Sequence, residues 1–170
     1  MSVEAIFGLQ FVLSLSVFAL IARWYVGPWL ATLTSHGALA LLVLPHTFRY
    51  VGMSFLVPGV VGPGLPQGFA DVAAYGDLAS ALVALAAVLL LRANSVAAIP
   101  LVWVANVVGS VDLVNALLHA EAIPHLGATW YIPTFIVPLL LVSHVMIFAR
   151  LVGRSDVAVP ADARRSLPTA

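Results

Sequence analysis

Five continuous apolar runs, at 3–22, 29–50, 72–91, 96–118 and 130–151, constrain this chain more than any other feature. Each holds about the 20 residues that roughly 30 Å of hydrocarbon asks of a helix. A membrane β-barrel would instead show alternating segments of about 10 residues. The runs predict an all-α integral membrane bundle of five transmembrane helices. Residues 1–152 form that domain, and 153–170 form a polar cytoplasmic tail. The chain is 62% hydrophobic and only 8% charged, where an ordinary soluble domain is about one quarter charged.

Net charge is zero, which gives no footprint for a nucleic-acid partner. There is no Cys, so disulfides, thiolate catalysis and iron–sulfur ligation are excluded. There is no Lys either, which excludes a Schiff-base or lysine nucleophile and leaves seven Arg as the formal cations. With five spans, Arg23, Arg92, Arg150, Arg154, Arg164 and Arg165 fall on one side and Arg49 on the other. The positive-inside rule then puts the N-terminus outside and the C-terminus in the cytoplasm. Glu4 lies at the N-terminal end of the first run and Arg23 follows it, the reverse of a signal peptide, so that run reads as a retained helix.

The segment 51–70, VGMSFLVPGVVGPGLPQGFA, is apolar but broken by Pro58, Pro63, Pro66 and several Gly. It cannot be one regular helix. Irregular backbone at membrane depth must be enclosed by protein or line a cavity, so the segment is expected to be an outer re-entrant loop or lid.

Ionisable residues inside apolar runs are costly, and they pair or serve a function. Asp77 and Asp112 each lie about six residues, roughly 9 Å, from the outer end of their helices. His46 and Arg49, three apart, occupy the outer end of the second helix, and Gln10 lies in the outer half of the first. The ladder Ala70, Ala73, Asp77, Ser80, Ala84, Ala87 is small apart from the Asp, which turns Asp77 into the bundle. Asp112, Asn115 and His119 follow at helical spacing and are expected on one inward face.

One Arg between two carboxylates leaves a surplus negative charge, which invites a shared proton on an Asp or on His46. Asp77, Asp112, His46 and Arg49 are therefore the candidate catalytic residues. Gln10, Asn115, His119 and Tyr50 are candidate ligand contacts. His119, Glu121 and His125 match no strong metal signature and read as a solvated loop, with no metal site assigned. His36 and His144 offer the minimum for haem ligation, and His46 with His144 is excluded by their opposite leaflets.

The words FRYVGMSFL, GLPQGFA, Gly76-Asp77, NVVGSVDLVNA and IPTFIVPLLLVSH resemble a family of small bacterial multipass membrane proteins of unknown function. The resemblance covers roughly the last two thirds of the chain. It implies a bacterial inner (plasma) membrane and no particular chemistry.

The favoured function is an intramembrane acid/base enzyme of isomerase, cyclase or hydratase type. Its substrate would be a lipophilic small molecule held in an outer-leaflet cavity. A small-solute or proton-coupled transporter and a haem- or quinone-binding membrane protein are the alternatives. Lipids are the natural surroundings, small-residue faces allow a homo-oligomer, and no cofactor is named.

Overall fold

The computed structural model describes residues 1–155, with side chains through Gly153. The tail expected over 153–170 lies almost wholly outside the described residues. Five helices are long and apolar enough to cross a membrane: α1 (Val3–Ala31), α2 (Ser35–Leu56), α3 (Gln67–Arg92), α4 (Ala98–Leu117) and α5 (Gly127–Gly153). No strand occurs among the described residues.

Local chemistry sets the boundaries. The Ser2 hydroxyl caps α1 by accepting from the Ala5 amide at 3.2 Å. The Thr34 hydroxyl does the same for α2 with Gly37, also at 3.2 Å. The helix capped by Thr34 starts at Ser35, six residues beyond the run that opened at Trp29, because 27–31 still belong to α1. At the other end, α2 runs on through Leu56, and α3 begins at Gln67, not Val72. The irregular part of 51–70 shrinks accordingly to 57–66.

The second half of α2 is a 3₁₀-helix from Leu44 to Leu56, opened by Pro45. Runs this long are uncommon. Its buried residues are His46, Arg49, Gly52 and Phe55, a strict spacing of three. At 3.0 residues per turn these four stack in one stripe. In an α-helix the same residues would drift about 60° per step and end on opposite faces. The tighter winding also lengthens the segment, at about 2.0 Å per residue against 1.5 Å.

Packing divides the molecule into two ends. At one end Leu39, Val43, Leu91, Val102 and Ile147 form an apolar layer with Ala84, Ala87 and Ala98, contributed by α2 to α5. Alanines let the backbones approach, which is how membrane helices gain dispersion contacts without a hydrophobic driving force between them. At the other end, loop 57–66 is stitched to residues 125–128, where α5 begins. The Gly62 amide donates to His125 O at 2.8 Å, and the Ala128 amide donates to Val60 O at 2.7 Å. Gly127 has φ +56° there, and a Cβ on it would sit 2.6 Å from Val60 O, so only glycine fits. These loops form a clasp over that end of the bundle.

Candidate functional site

Between the clasp and the apolar layer, three helices converge on Arg49. Its Nε donates to Asp77 Oδ1 at 2.7 Å, its Nη1 to Gly109 O at 3.1 Å, and its Nη2 to Asp112 Oδ2. Arg49 is 3% exposed, while the carboxylate side chains of Asp77 and Asp112 are 12% and 21% exposed. The constellation ties α2 to α3 and α4 with one planar guanidinium, the geometry that suits Arg and not Lys.

Glycines make room for it in a cycle. A Cβ on Gly52 of α2 would collide with the Asp77 carboxylate of α3. One on Gly76 of α3 would meet Asp112 Oδ1 of α4 at 2.5 Å, and one on Gly109 of α4 would lie 3.0 Å from Arg49 Nη1 of α2. Each helix thus offers a bare backbone face to its neighbour's charge.

On the clasp side a cleft opens above the carboxylates. Asp77 and Asp112 lie at its floor. Phe7, Phe55, Phe69, Leu113, Ile123, Leu126, Ile132 and Pro133 form its walls, and His119 stands among them. The His119 ring packs 5.7 Å from that of Phe69, and its Nδ1 lies 2.8 Å from Glu121 Oε1. That hydrogen bond holds the exposed Glu121 carboxyl below the usual carboxylate range. His125 does not join them: its ring covers Gly64 in the clasp. Among the described residues, no group of three or more His, Cys, Asp or Glu is arranged to hold a metal ion.

The structure corrects the exclusion of a His46–His144 pair. The two rings are 4.2 Å apart, centroid to centroid. His46 is not at a helix end, because α2 begins six residues late and runs to Leu56, which carries His46 to mid-span. His144 also touches Asn106, its Nδ1 lying 2.7 Å from Asn106 Oδ1, and Asn106 Nδ2 donates to His144 O at 3.2 Å. Asn106 was not singled out from the sequence. Its position on the buried stripe Ala98, Val102, Asn106, Gly109, Leu113 was the available signal. His36 sits at the start of α2, ten residues from His46, so the His36–His144 pairing is not formed.

Three expected ligand contacts lie elsewhere. Gln10 is exposed and accepts from Trp130 Nε1 at 2.6 Å, holding α1 to α5. Tyr50 is exposed beside Phe48, one position off the 3₁₀ stripe. Asn115 is exposed because the buried face of α4 passes through Gly109 and Leu113; Asp112 lies on its shoulder toward α3, and the next turn carries Asn115 away. Of the ligand set, His119 alone reaches the cleft. The small-residue ladder of α3 is as expected, with Ala70, Ala73, Asp77, Ala84 and Ala87 all buried.

No curated protein and no solved structure matches the chain. Over residues 6–152, nearly the whole helical region, it matches the family described as Domain of unknown function (DUF8737), and the chain belongs to that family.

Proposed function

We propose that the protein is an intramembrane acid/base enzyme acting on a lipophilic small molecule. One observation carries the reading: the carboxylate pair at the floor of a cleft whose walls are apolar and aromatic but for His119. Asp112 is the more open carboxylate, and one of its oxygens is held by Arg49. Its other oxygen is the natural contact for a substrate proton. Arg49 fixes the geometry of both acids and offsets one of their two charges. The surplus charge favours a proton held by one carboxyl, so the pair can give and take a proton as isomerisation, cyclisation or hydration requires. All five expected apolar spans and the arginine distribution support a bacterial inner membrane with the N-terminus outside. In that setting the clasp is a lid, and substrate enters from the outer leaflet.

The cleft also selects its ligand. Its floor is acidic, and Arg49 is engaged by both carboxylates. A hydroxyl or amine that donates to Asp112 fits, and a carboxylate or phosphate does not. The transporter reading is weakened by the apolar layer beneath the site, which interrupts a polar path.

The test is solvent isotope exchange. Purified protein in nanodiscs is incubated in D₂O with a total lipid extract of a bacterial membrane, and lipophilic species are followed by mass spectrometry. Acid/base turnover places deuterium on a carbon-bound position of one species, and Asp112→Asn abolishes it. If nothing gains deuterium beyond protein-free discs, or if D112N exchanges like the native chain, the enzyme reading is wrong.

A further inference from the structure

Below Arg49 lies a second, smaller chamber with room for about one water, lined by His46, Arg49, Ser80, Asn106 and His144. The carboxylate chemistry above does not use it. Its imidazoles are each 4% exposed, yet His46 Nδ1, His46 Nε2 and His144 Nε2 have no hydrogen-bond partner among the described residues. Buried polar atoms of native proteins are almost always satisfied, so three in one chamber call for an occupant.

The hydrogen-bond pattern says which kind. Asn106 Nδ2 donates to the His144 carbonyl, and this turns Asn106 Oδ1 toward the ring. Oδ1 can only accept, so His144 carries its proton on Nδ1 and presents a bare lone pair at Nε2. A neutral His46 adds one lone pair and one N–H. Arg49 has five N–H groups, three of which are used by Asp77, Gly109 and Asp112. The Gly109 position brings Arg49 and His144 together: a Cβ there would be 3.0 Å from Arg49 Nη1 and 3.2 Å from His144 Nε2. The chamber therefore offers two acceptors, a histidine donor and spare guanidinium donors. A metal cation would face that guanidinium, and an apolar guest would leave all three ring nitrogens bare. Water both donates and accepts, and it needs only two to four such partners.

We propose that this chamber is a built hydration site, in which water bridges His144 Nε2 and His46 to the Arg49 guanidinium. The water occupies the guanidinium face that the carboxylates leave free, so His46 and His144 act as positioning residues for Arg49. The apolar layer of Val43, Val102 and Ile147 closes the chamber on the side away from the cleft. Asn106 is the part that keeps His144 an acceptor. None of this depends on catalysis in the cleft.

The experiment is NMR on ¹⁵N-histidine-labelled protein in nanodiscs, with no ligand added. The native chain is expected to show His144 protonated at Nδ1, an Nε2 shift typical of a hydrogen-bonded acceptor, and magnetisation transfer from water to the ring. His46→Phe fills the chamber. It is expected to abolish the water transfer and return Nε2 to the shift of a bare lone pair, while Nδ1 stays protonated. Asn106→Leu is expected to yield a mixture of tautomers. A native His144 protonated at Nε2, or a bare Nε2 with no water transfer, overturns the proposal on the native protein alone, whether or not either variant folds.

Discussion

Replacing Arg49 with Met is the sharpest perturbation of the bundle. The methionine keeps most of the apolar stem and removes three donated hydrogen bonds at once. Asp77, against Gly52, and Asp112, against Gly76, are then left with no cation. Removing one partner of a buried ion pair costs about 3–5 kcal/mol, because the other charge is left unpaired. Asp77, with a side chain only 12% exposed, should carry most of that penalty. Asp112 is 21% exposed and can be partly rescued by solvent in the cleft, so its share is discounted. Asp77→Asn is the informative contrast. It keeps an oxygen for Arg49 Nε and cancels the surplus negative charge, so the expected cost is below about 1 kcal/mol. Unfolding by SDS titration in mixed micelles, followed by the fluorescence of the four tryptophans, measures both. At 1.4 kcal/mol per tenfold, R49M should shift the folding equilibrium by about two to three and a half powers of ten and D77N by less than tenfold. An R49M variant within about 1 kcal/mol of the native chain would show that the cluster is solvated, and the argument from burial would fail. Equal losses in R49M and D77N would fail it as well, since the charge balance would then decide nothing.

Gly52→Ala drives a methyl group into the Asp77 carboxylate, and overpacking of this kind costs about 1–3 kcal/mol in the same titration. Gly8→Ala, which meets nothing within 4 Å on α1, is the silent control. Gly127→Ala should loosen the clasp, because the residue would need φ +56° and would press on Val60 O; limited proteolysis at 57–66 should accelerate while the helices persist. Proteoliposomes carrying the native chain should hold an imposed proton gradient as long as protein-free vesicles, since the layer around Leu39, Leu91 and Ile147 is apolar; rapid decay that Asp112→Asn abolishes would revive the transporter reading.

Hydropathy alone predicts five helices, because a run of about 20 apolar residues has few other fates. The small-residue ladder of α3 is equally visible, since α-helical spacing governs it throughout. What sequence periodicity misses is α2. Read as an α-helix from Trp29, it carries His46 and Arg49 to one end of the bundle. Read as it folds, it starts at Ser35 and tightens to 3₁₀ from Leu44. The shift moves His46 to mid-span, against His144, and the tightening keeps Arg49 and Gly52 on one stripe with it. A period of 3.6 assigns these residues to diverging faces, while a period of 3.0 aligns them. The same assumption misplaces Tyr50, which reads as a neighbour of Arg49 but lies off the stripe.

The cost of that irregular helix argues for its purpose. A 13-residue 3₁₀ run gives up hydrogen-bond geometry at every turn. An α-helix through the same residues would be easier to form, but it would turn Gly52 about 120° away from His46. Asp77 would then meet a side chain where it now meets bare backbone, and Arg49 could not reach α3 and α4 together while His46 packs on α5. The structure keeps the irregular geometry because Arg49, Asp77, Asp112 and Gly109 must meet at one point, and unsatisfied charges in an apolar bundle would be the greater loss. The tension gives a local test. Thr47 is off the stripe, and its hydroxyl donates to Leu44 O at 2.7 Å, three residues back. Thr47→Ala removes that local support. It should cost only about 0.5–1.5 kcal/mol if the Arg49 network dictates the winding. A loss as large as that of R49M would show that the 3₁₀ segment is held by its own sequence, with the charge cluster as its consequence.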